Sequence, residues 1–98
     1  MSKVFGKEPS MNLYKTILEL KDLDECYRFF QDLCTVSELR AMEQRFDVAV
    51  LLQKGMIYND ILEKTGASSA TISRVNRSLN YGTDAYRTIF DRMTEEKQ

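Results

Sequence analysis

Residues 57–81 read IYNDILEKTGASSATISRVNRSLNY, and this stretch decides the fold of the chain. Residues 58–65 predict one short helix. Gly66 follows where that helix must end, because glycine adopts a left-handed C-terminal conformation with the least strain. Ser68 is a candidate N-cap for a second helix, since its hydroxyl can accept a hydrogen bond from a free N–H of the first turn. The stretch therefore predicts two short helices joined by a tight turn.

The second helix is predicted to have two chemically different faces. One face is apolar, with aliphatic side chains at positions i, i+3 and i+7, namely Ile72, Val75 and Leu79. The opposite face carries short hydroxyls and guanidiniums from Ser69, Thr71, Ser73, Arg74 and Arg77. A helix, a glycine turn and a second helix with a small, polar and basic outer face are typical of a helix-turn-helix.

The outer face suits double-stranded DNA. Small residues let a helix approach the base edges of the major groove, where hydroxyls contact bases and methyls contact thymine. Arginines one turn later can reach phosphates or guanine. We therefore predict DNA contacts from Lys64, Ala67, Ser68, Ser69, Ala70, Thr71, Ser73, Arg74, Asn76 and Arg77. The alternative at this point is an ordinary helical hairpin whose polar face is only solvated.

The charge distribution is compatible with a local DNA-docking face. The chain has 98 residues, enough for one domain, and a net charge of −1, so it is not a polycation as a whole. Residues 1–53 hold seven basic and nine acidic side chains, whereas residues 64–83 hold three basic and no acidic ones. Because only the docking face meets phosphates, an acidic body does not exclude DNA binding.

The sequence offers little for metal, redox or catalytic chemistry. Cys26 and Cys34 are eight residues apart on one predicted helix, a rise of roughly 12 Å. A disulfide needs Cα atoms within about 7 Å, so we expect two reduced thiols. Without histidine, ligand-spaced cysteines, an activated nucleophile or a phosphate-cradling loop, we predict no metal, no cofactor and no enzymatic activity. No leader or apolar run of membrane length is visible, which predicts a cytoplasmic protein without membrane contact.

The first half of the chain predicts amphipathic helices with large apolar faces. Leu13, Ile17 and Leu20 have helical spacing, and residues 22–25 and 35–38 read as capping boxes that start two further helices. Residues 83–95 predict a last helix, which makes an all-α fold of about six helices. Because residues 11–54 carry more apolar surface than a short monomer covers, we predict a homodimer, with interface candidates Leu13, Ile17, Tyr27, Phe30 and Phe46.

The stretch LLQKGMIYNDILEKTGASSATISRVNRSLNYG, residues 51–82, resembles the helix-turn-helix of the Trp repressor superfamily. The run TGASSATISRVNRSLNYG is most similar to the TrpR-like proteins of the YerC/YecD family, and the similarity continues upstream through LCTVSELRAMEQRFDVAVLL. The resemblance implies an intertwined all-helical homodimer whose paired helix-turn-helix units dock into successive major grooves. Ile57 departs from the family, in which a helix-capping hydroxyl is usual at this position.

Two functions follow from the resemblance and the composition together. The first is a homodimeric transcriptional regulator, a repressor, that binds specific double-stranded DNA with the helix at residues 69–80. The alternative is a dimeric protein-interaction module that keeps the helix-turn-helix shape without binding DNA. Salt dependence separates the two, because the affinity of a DNA-binding protein for duplex DNA falls steeply as salt rises.

The resemblance also raises the question of tryptophan as a corepressor. In tryptophan-binding members two arginines sandwich the indole, and a glycine follows the second arginine. Arg74 matches the second arginine, but Val75 occupies the glycine position. Arg45 matches the first arginine only if one residue is deleted, and an ungapped alignment places Gln44 there. Because Val75 should fill the space that the ligand needs, we predict that tryptophan is not a corepressor.

Overall fold

The computed structural model describes residues 8–97, which form six helices and no strand. The helices are α1 (Met11–Ile17), α2 (Leu23–Leu33), α3 (Val36–Gln53), α4 (Tyr58–Thr65), α5 (Ser69–Tyr81) and α6 (Ala85–Lys97). The predicted all-α class and the number of helices are confirmed.

The chain divides into two compact units, Met1–Leu39 and Arg40–Gln98, and α3 begins in the first and continues into the second. In the first unit, neither α1 nor α2 contains a buried residue. Helix α1 ends at Ile17, so the predicted stripe does not extend to Leu20, which lies in the following turn. There the Leu20 N–H donates to the Ile17 carbonyl at 3.1 Å, a tighter turn than the α-helix makes.

Capping side chains set the starts of α2 and α3. The Asp22 carboxylate accepts from the Glu25 N–H at 2.8 Å, while the Glu25 carboxylate accepts from the Lys21 N–H at 3.2 Å, one residue before the predicted partner. At α3 the box is complete, because Thr35 Oγ1 accepts from the Glu38 N–H at 3.1 Å and the Glu38 carboxylate accepts from the Thr35 N–H at 2.8 Å. The bond from the Thr35 N–H, together with that from its side chain, lowers the pKa of Glu38 below its ordinary value.

The second unit contains a continuous apolar core. Helices α3, α4 and α5 and the turn between α4 and α5 all contribute to it, with buried side chains from Val48, Ala49, Ile61, Ala67, Ile72 and Val75. Half-buried side chains pack around this cluster, among them Leu51, Leu52, Met56, Tyr86 and Phe90. The predicted apolar stripe of α5 is confirmed, since all three of its members are buried.

Helix α6 contributes aromatic rings to the same unit. The Phe46 ring of α3 lies 6.4 Å from that of Tyr86 and 5.8 Å from that of Phe90, measured between centroids. Phe46 therefore has aromatic neighbours within its own chain and still exposes 38% of its surface. Its assignment to a dimer interface stays a prediction. Helix α6 follows Asp84, a non-glycine residue at φ 67°, whose carbonyl accepts from the Thr88 N–H.

Candidate nucleic-acid interface

The turn between α4 and α5 has the predicted geometry. Gly66 ends α4 in the left-handed conformation, at φ 73° and ψ 3°, and its N–H donates to the Leu62 carbonyl at 2.9 Å. Ser68 is extended and caps α5, because its hydroxyl accepts from the Thr71 N–H at 3.1 Å. Ile57 occupies the N-cap position of α4 and supplies no side-chain cap, as the departure from the family pattern predicts. We call α4, the turn and α5 together the reading head.

The polar side chains of α5 lie opposite its buried stripe. Five of the predicted contact residues expose their side chains there, namely Ser69, Ala70, Ser73, Arg74 and Arg77. All except Ser69 line one shallow depression of about 240 Å³. Lys64, in the last turn of α4, is also exposed, but it lines a different depression together with Asp47 and Thr65. The structure therefore brings the two arginines together and places Lys64 apart from them.

The arginines of α5 differ electrostatically from Arg28 of α2 and Arg40 of α3. Arg28 and Arg40 form ion pairs with Asp24 and Glu43 on their own helices, at 2.8 and 2.7 Å. Arg74 and Arg77 form no ion pair with any residue that the structure describes. Their charges are therefore not neutralised by those residues, and an anion meets less competition at α5 than at α2 or at the start of α3.

The sequence predicts that Ala67 contacts DNA, whereas the structure buries its side chain. Its side chain is 1% exposed and belongs to the apolar core, so its methyl cannot contact thymine. The prediction failed because a small residue in this turn suits equally well a close approach to DNA and close packing against α3. Its N–H is also engaged, donating to Thr65 Oγ1 at 3.1 Å.

Three other predicted contact residues have partners within the chain. Ser68 Oγ donates to Thr71 Oγ1 at 3.1 Å in addition to capping α5, and Thr71 is half-buried. Asn76 is also half-buried, and its backbone and side-chain oxygens both accept from Asn80 Nδ2 at 3.0 Å. These bonds stabilise α5 and leave fewer polar atoms of the three residues available to a ligand.

The structure adds two residues that sequence reasoning missed. Arg87 of α6 donates from Nη2 to Asn80 Oδ1 at 3.1 Å, which continues the hydrogen-bonded row from Asn76 through Asn80 to α6. The row ties the C-terminal end of α5 to the next helix. No periodicity indicates it, because Asn80 and Arg87 lie on different helices on either side of the Gly82 turn.

The positions that bear on tryptophan are also defined. Arg45 is exposed, whereas Gln44 is half-buried and donates from Nε2 to the Thr65 carbonyl at 3.2 Å. Val75 is 3% exposed and packs in the core. Arg74 is exposed on the outer face of α5.

The described part of the chain contains no metal-binding side-chain cluster, no membrane-spanning helix and no disulfide. In residues 8–95, no group of three or more His, Cys, Asp or Glu side chains is arranged to hold a metal ion. No helix that the structure describes has both the length and the apolar character needed to cross a membrane. Cys26 and Cys34 are both free thiols, and both are half-buried.

The sequence of the chain matches a known protein family. The family model described as Trp repressor protein matches residues 10–94. The chain belongs to the Trp repressor family. Family membership points to a DNA-binding regulator, in agreement with a helix-turn-helix whose polar face is exposed.

Individual members of the Trp repressor family are close in sequence and structure. The uncharacterized protein YerC of Bacillus subtilis (strain 168) is 54% identical over 95 residues, which cover 97% of this chain and 90% of that protein. A TrpR-like protein from Eubacterium eligens ATCC 27750 is 58% identical, with a TM-score of 0.82 over 84% of each chain. A candidate Trp repressor from Staphylococcus aureus is 51% identical, with a TM-score of 0.81 over 84% of this chain and 82% of that one. These matches confirm the resemblance to TrpR-like proteins of the YerC type.

Proposed function

We propose that the chain is a homodimeric transcriptional repressor that binds specific double-stranded DNA, with α5 in the major groove. The observation that carries the proposal is the division of α5 into a fully packed face and an exposed polar and basic face. The buried stripe fixes the helix on the core, so the opposite face is held rigidly for a ligand. Two arginines on that face are not ion-paired with any described residue.

Five exposed residues of α5 have roles that follow from their chemistry and their places on the helix. Ser69, Ala70 and Ser73 lie in its first two turns and are short enough for the backbone to approach base edges, which makes them candidates for sequence readout. Arg74 and Arg77 lie further along and can donate two parallel hydrogen bonds to a phosphate or to guanine O6 and N7. Positioning on the backbone and reading of bases are therefore assigned to different residues.

The experiment that tests the function is selection of bound fragments from a random or genomic double-stranded DNA pool. We expect enrichment of one two-fold symmetric site with half-sites about one helical turn, roughly 34 Å, apart. An interaction module without DNA function would enrich no fragment at any salt concentration. That result would overturn the proposal.

The assigned face is tested on the selected fragment with Arg74→Ala and Arg77→Ala. Each substitution should weaken all sequences similarly if the arginine contacts phosphate, or relax one base position if it contacts guanine, at a cost of about 1–3 kcal/mol. Arg28→Ala is the matched control, because it removes the same charge from a helix outside the reading head and should leave binding within a factor of about two. Unchanged binding by both α5 variants would show that another face meets DNA.

We also propose that DNA binding is independent of tryptophan. Val75 supports this, because its side chain fills core space next to Arg74. Opening room for an indole there would require repacking a filled core, which typically costs about 1–3 kcal/mol. Calorimetry should detect no saturable tryptophan binding at micromolar concentration. Binding coupled to tighter DNA affinity would contradict the proposal.

A further inference from the structure

A group of three hydrogen bonds meets at Thr65, the last residue of α4. Gln44 of α3 donates from Nε2 to the Thr65 carbonyl at 3.2 Å. The Thr65 hydroxyl donates to the Ile61 carbonyl at 2.7 Å and accepts from the Ala67 N–H at 3.1 Å. All three bonds are partly buried, and Gln44 and Thr65 are 21 residues apart in sequence.

The Gln44 bond satisfies a group that α4 itself leaves open. The last four carbonyls of an α-helix have no intrahelical partner. The Gly66 N–H, which follows Thr65, turns back to the Leu62 carbonyl. The Thr65 carbonyl therefore takes its donor from Gln44 of α3. The Thr65 hydroxyl in turn accepts from the Ala67 N–H, which links the same residue to the backbone of the turn.

The same bond joins the end of α4 to the part of α3 that enters the apolar core. Gln44 lies one turn before Val48 and Ala49, both of which have no exposed surface. The backbone of Gln44 is therefore held by the packing of the following turn, which fixes the position from which its side-chain amide donates. The Ala67 methyl, also buried, packs in the same cluster, so both the polar and the apolar contacts fix the turn that precedes α5.

We propose that Gln44 is a positioning residue that holds the α4–α5 turn, and through it the reading helix, in the DNA-binding arrangement without any bound small molecule. This inference rests on the proposed DNA-binding function. Gln44 itself does not touch DNA. It acts through the Thr65 carbonyl and the Ala67 N–H, the two backbone groups nearest the N-terminus of α5 in this network.

The polarity of the bond makes the proposal testable by pH. The Thr65 carbonyl requires a donor. In Gln44→Glu the ionised carboxylate offers only acceptors and repels the carbonyl oxygen, whereas the protonated carboxyl can donate to it. Because the partly buried site and the neighbouring carbonyl oxygen disfavour the ionised form, we expect the pKa of the introduced carboxyl to lie above its ordinary value. DNA affinity of Gln44→Glu should therefore be low at pH 7.5 and recover toward that of the wild type at pH 5, measured as a ratio to Gln44→Ala at each pH. Gln44→Ala removes the side-chain amide and introduces no titrating group. Dividing by its affinity therefore corrects for the effect of pH on the rest of the protein.

The DNA measurements use the selected duplex and four proteins: wild type, Gln44→Ala, Gln44→Glu and Gln53→Ala. We expect Gln44→Ala to weaken binding about threefold to tenfold, the equilibrium effect of one partly buried hydrogen bond. Gln53→Ala is the matched control, because Gln53 is exposed at the end of the same helix and should bind like the wild type. Unchanged affinity in Gln44→Ala, or an affinity ratio of Gln44→Glu to Gln44→Ala that does not depend on pH, would overturn the proposal.

A second readout does not depend on DNA. Amide hydrogen exchange should become faster in Gln44→Ala at Gly66 and Ala67, while the Val75 amide in the core of α5 exchanges as in the wild type. Equal acceleration at all three amides would mean that Gln44 contributes only to global stability, and no acceleration would mean that it does not hold the turn. Either result overturns the inference. Failure of the wild type to bind any DNA would instead refute the proposed function, and exchange would still decide whether Gln44 holds the turn.

Discussion

The reading head buries its main apolar side chains, whereas the N-terminal helices α1 and α2 bury none of theirs. In the reading head Ile61, Ile72 and Val75 are buried against α3 and the turn within one unit of one chain. Helices α1 and α2 bury no residue, and large apolar side chains such as Leu23 and Tyr27 expose 85% and 46% of their surface.

This difference leaves the apolar side chains of α1 and α2 without a cover inside the chain. Leu23 and Tyr27 lie one turn apart on α2, and a large patch of exposed apolar side chains marks a surface that another molecule covers. A second copy of the chain is the occupant that fits the proposed function, because a two-fold dimer presents two reading heads to a palindromic site. We therefore propose that the reading head is stable through its own packing, and that the N-terminal helices depend on the proposed dimer.

The largest expected effect comes from the core of the reading head. Ile72→Ala leaves a cavity in a fully buried site and should lower the free energy of unfolding by about 2–5 kcal/mol. Leu62→Ala is the matched control in the same unit, where the side chain is 42% exposed and the loss should be under about 1 kcal/mol. Urea denaturation measures both. Equal losses would contradict the packing described for α5.

Dimerisation should depend on the N-terminal helices α1 and α2. Tyr27→Ala removes an exposed aromatic ring from α2 and should raise the dimer dissociation constant at least about 30-fold, the effect of a strong interface residue. Tyr58→Ala removes a similarly exposed ring from α4 and should leave dimerisation unchanged. Sedimentation equilibrium provides the measurement. A wild-type protein that is monomeric at micromolar concentration would refute the homodimer altogether.

A smaller effect should come from the cap of α5. Ser68→Ala removes the acceptor for the Thr71 N–H and should cost about 1 kcal/mol of the free energy of unfolding. Ser69→Ala changes the neighbouring exposed hydroxyl, which does not cap α5, and should cost under about 0.5 kcal/mol. Thermal denaturation of the two variants tests the cap. If the two variants have the same transition temperature, the cap does not stabilise the helix.

The smallest expected effect is a pH-dependent contribution of Glu38, at the start of α3, to the free energy of unfolding. Hydrogen bonds from Thr35 lower the pKa of Glu38 in the folded chain below its ordinary value of 4.5. The ionised carboxylate therefore adds stability above pH 4.5, and this contribution is lost as pH falls through the lowered pKa. The difference in unfolding free energy between wild type and Glu38→Gln should be constant at neutral pH and decrease in acid. A difference that does not change with pH would contradict the bond.

Local sequence chemistry predicted the parts of the molecule that depend on neighbouring residues. The left-handed Gly66, the Ser68 cap and the Thr35–Glu38 box all involve bonds within three or four residues, so residue type and spacing suffice. The buried stripe of α5 was predictable for the same reason, because its period is that of the helix.

Tertiary contacts explain what the sequence did not reveal. The local sequence around Ala67 is compatible with a side chain that faces DNA and with one that faces the core. Only the position of α3 decides between the two. The Gln44–Thr65 bond joins two helices far apart in sequence, and the Asn80–Arg87 bond crosses a turn with a left-handed Asp84. None of these follows from a local pattern.

The most direct test of the account is the salt dependence of binding to the selected duplex. We predict that the logarithm of the affinity falls linearly with the logarithm of the salt concentration. If Arg74 and Arg77 contact phosphates, each alanine substitution should reduce the slope by about two, since a dimer carries each arginine twice. Absence of binding to double-stranded DNA at any salt concentration would contradict the account.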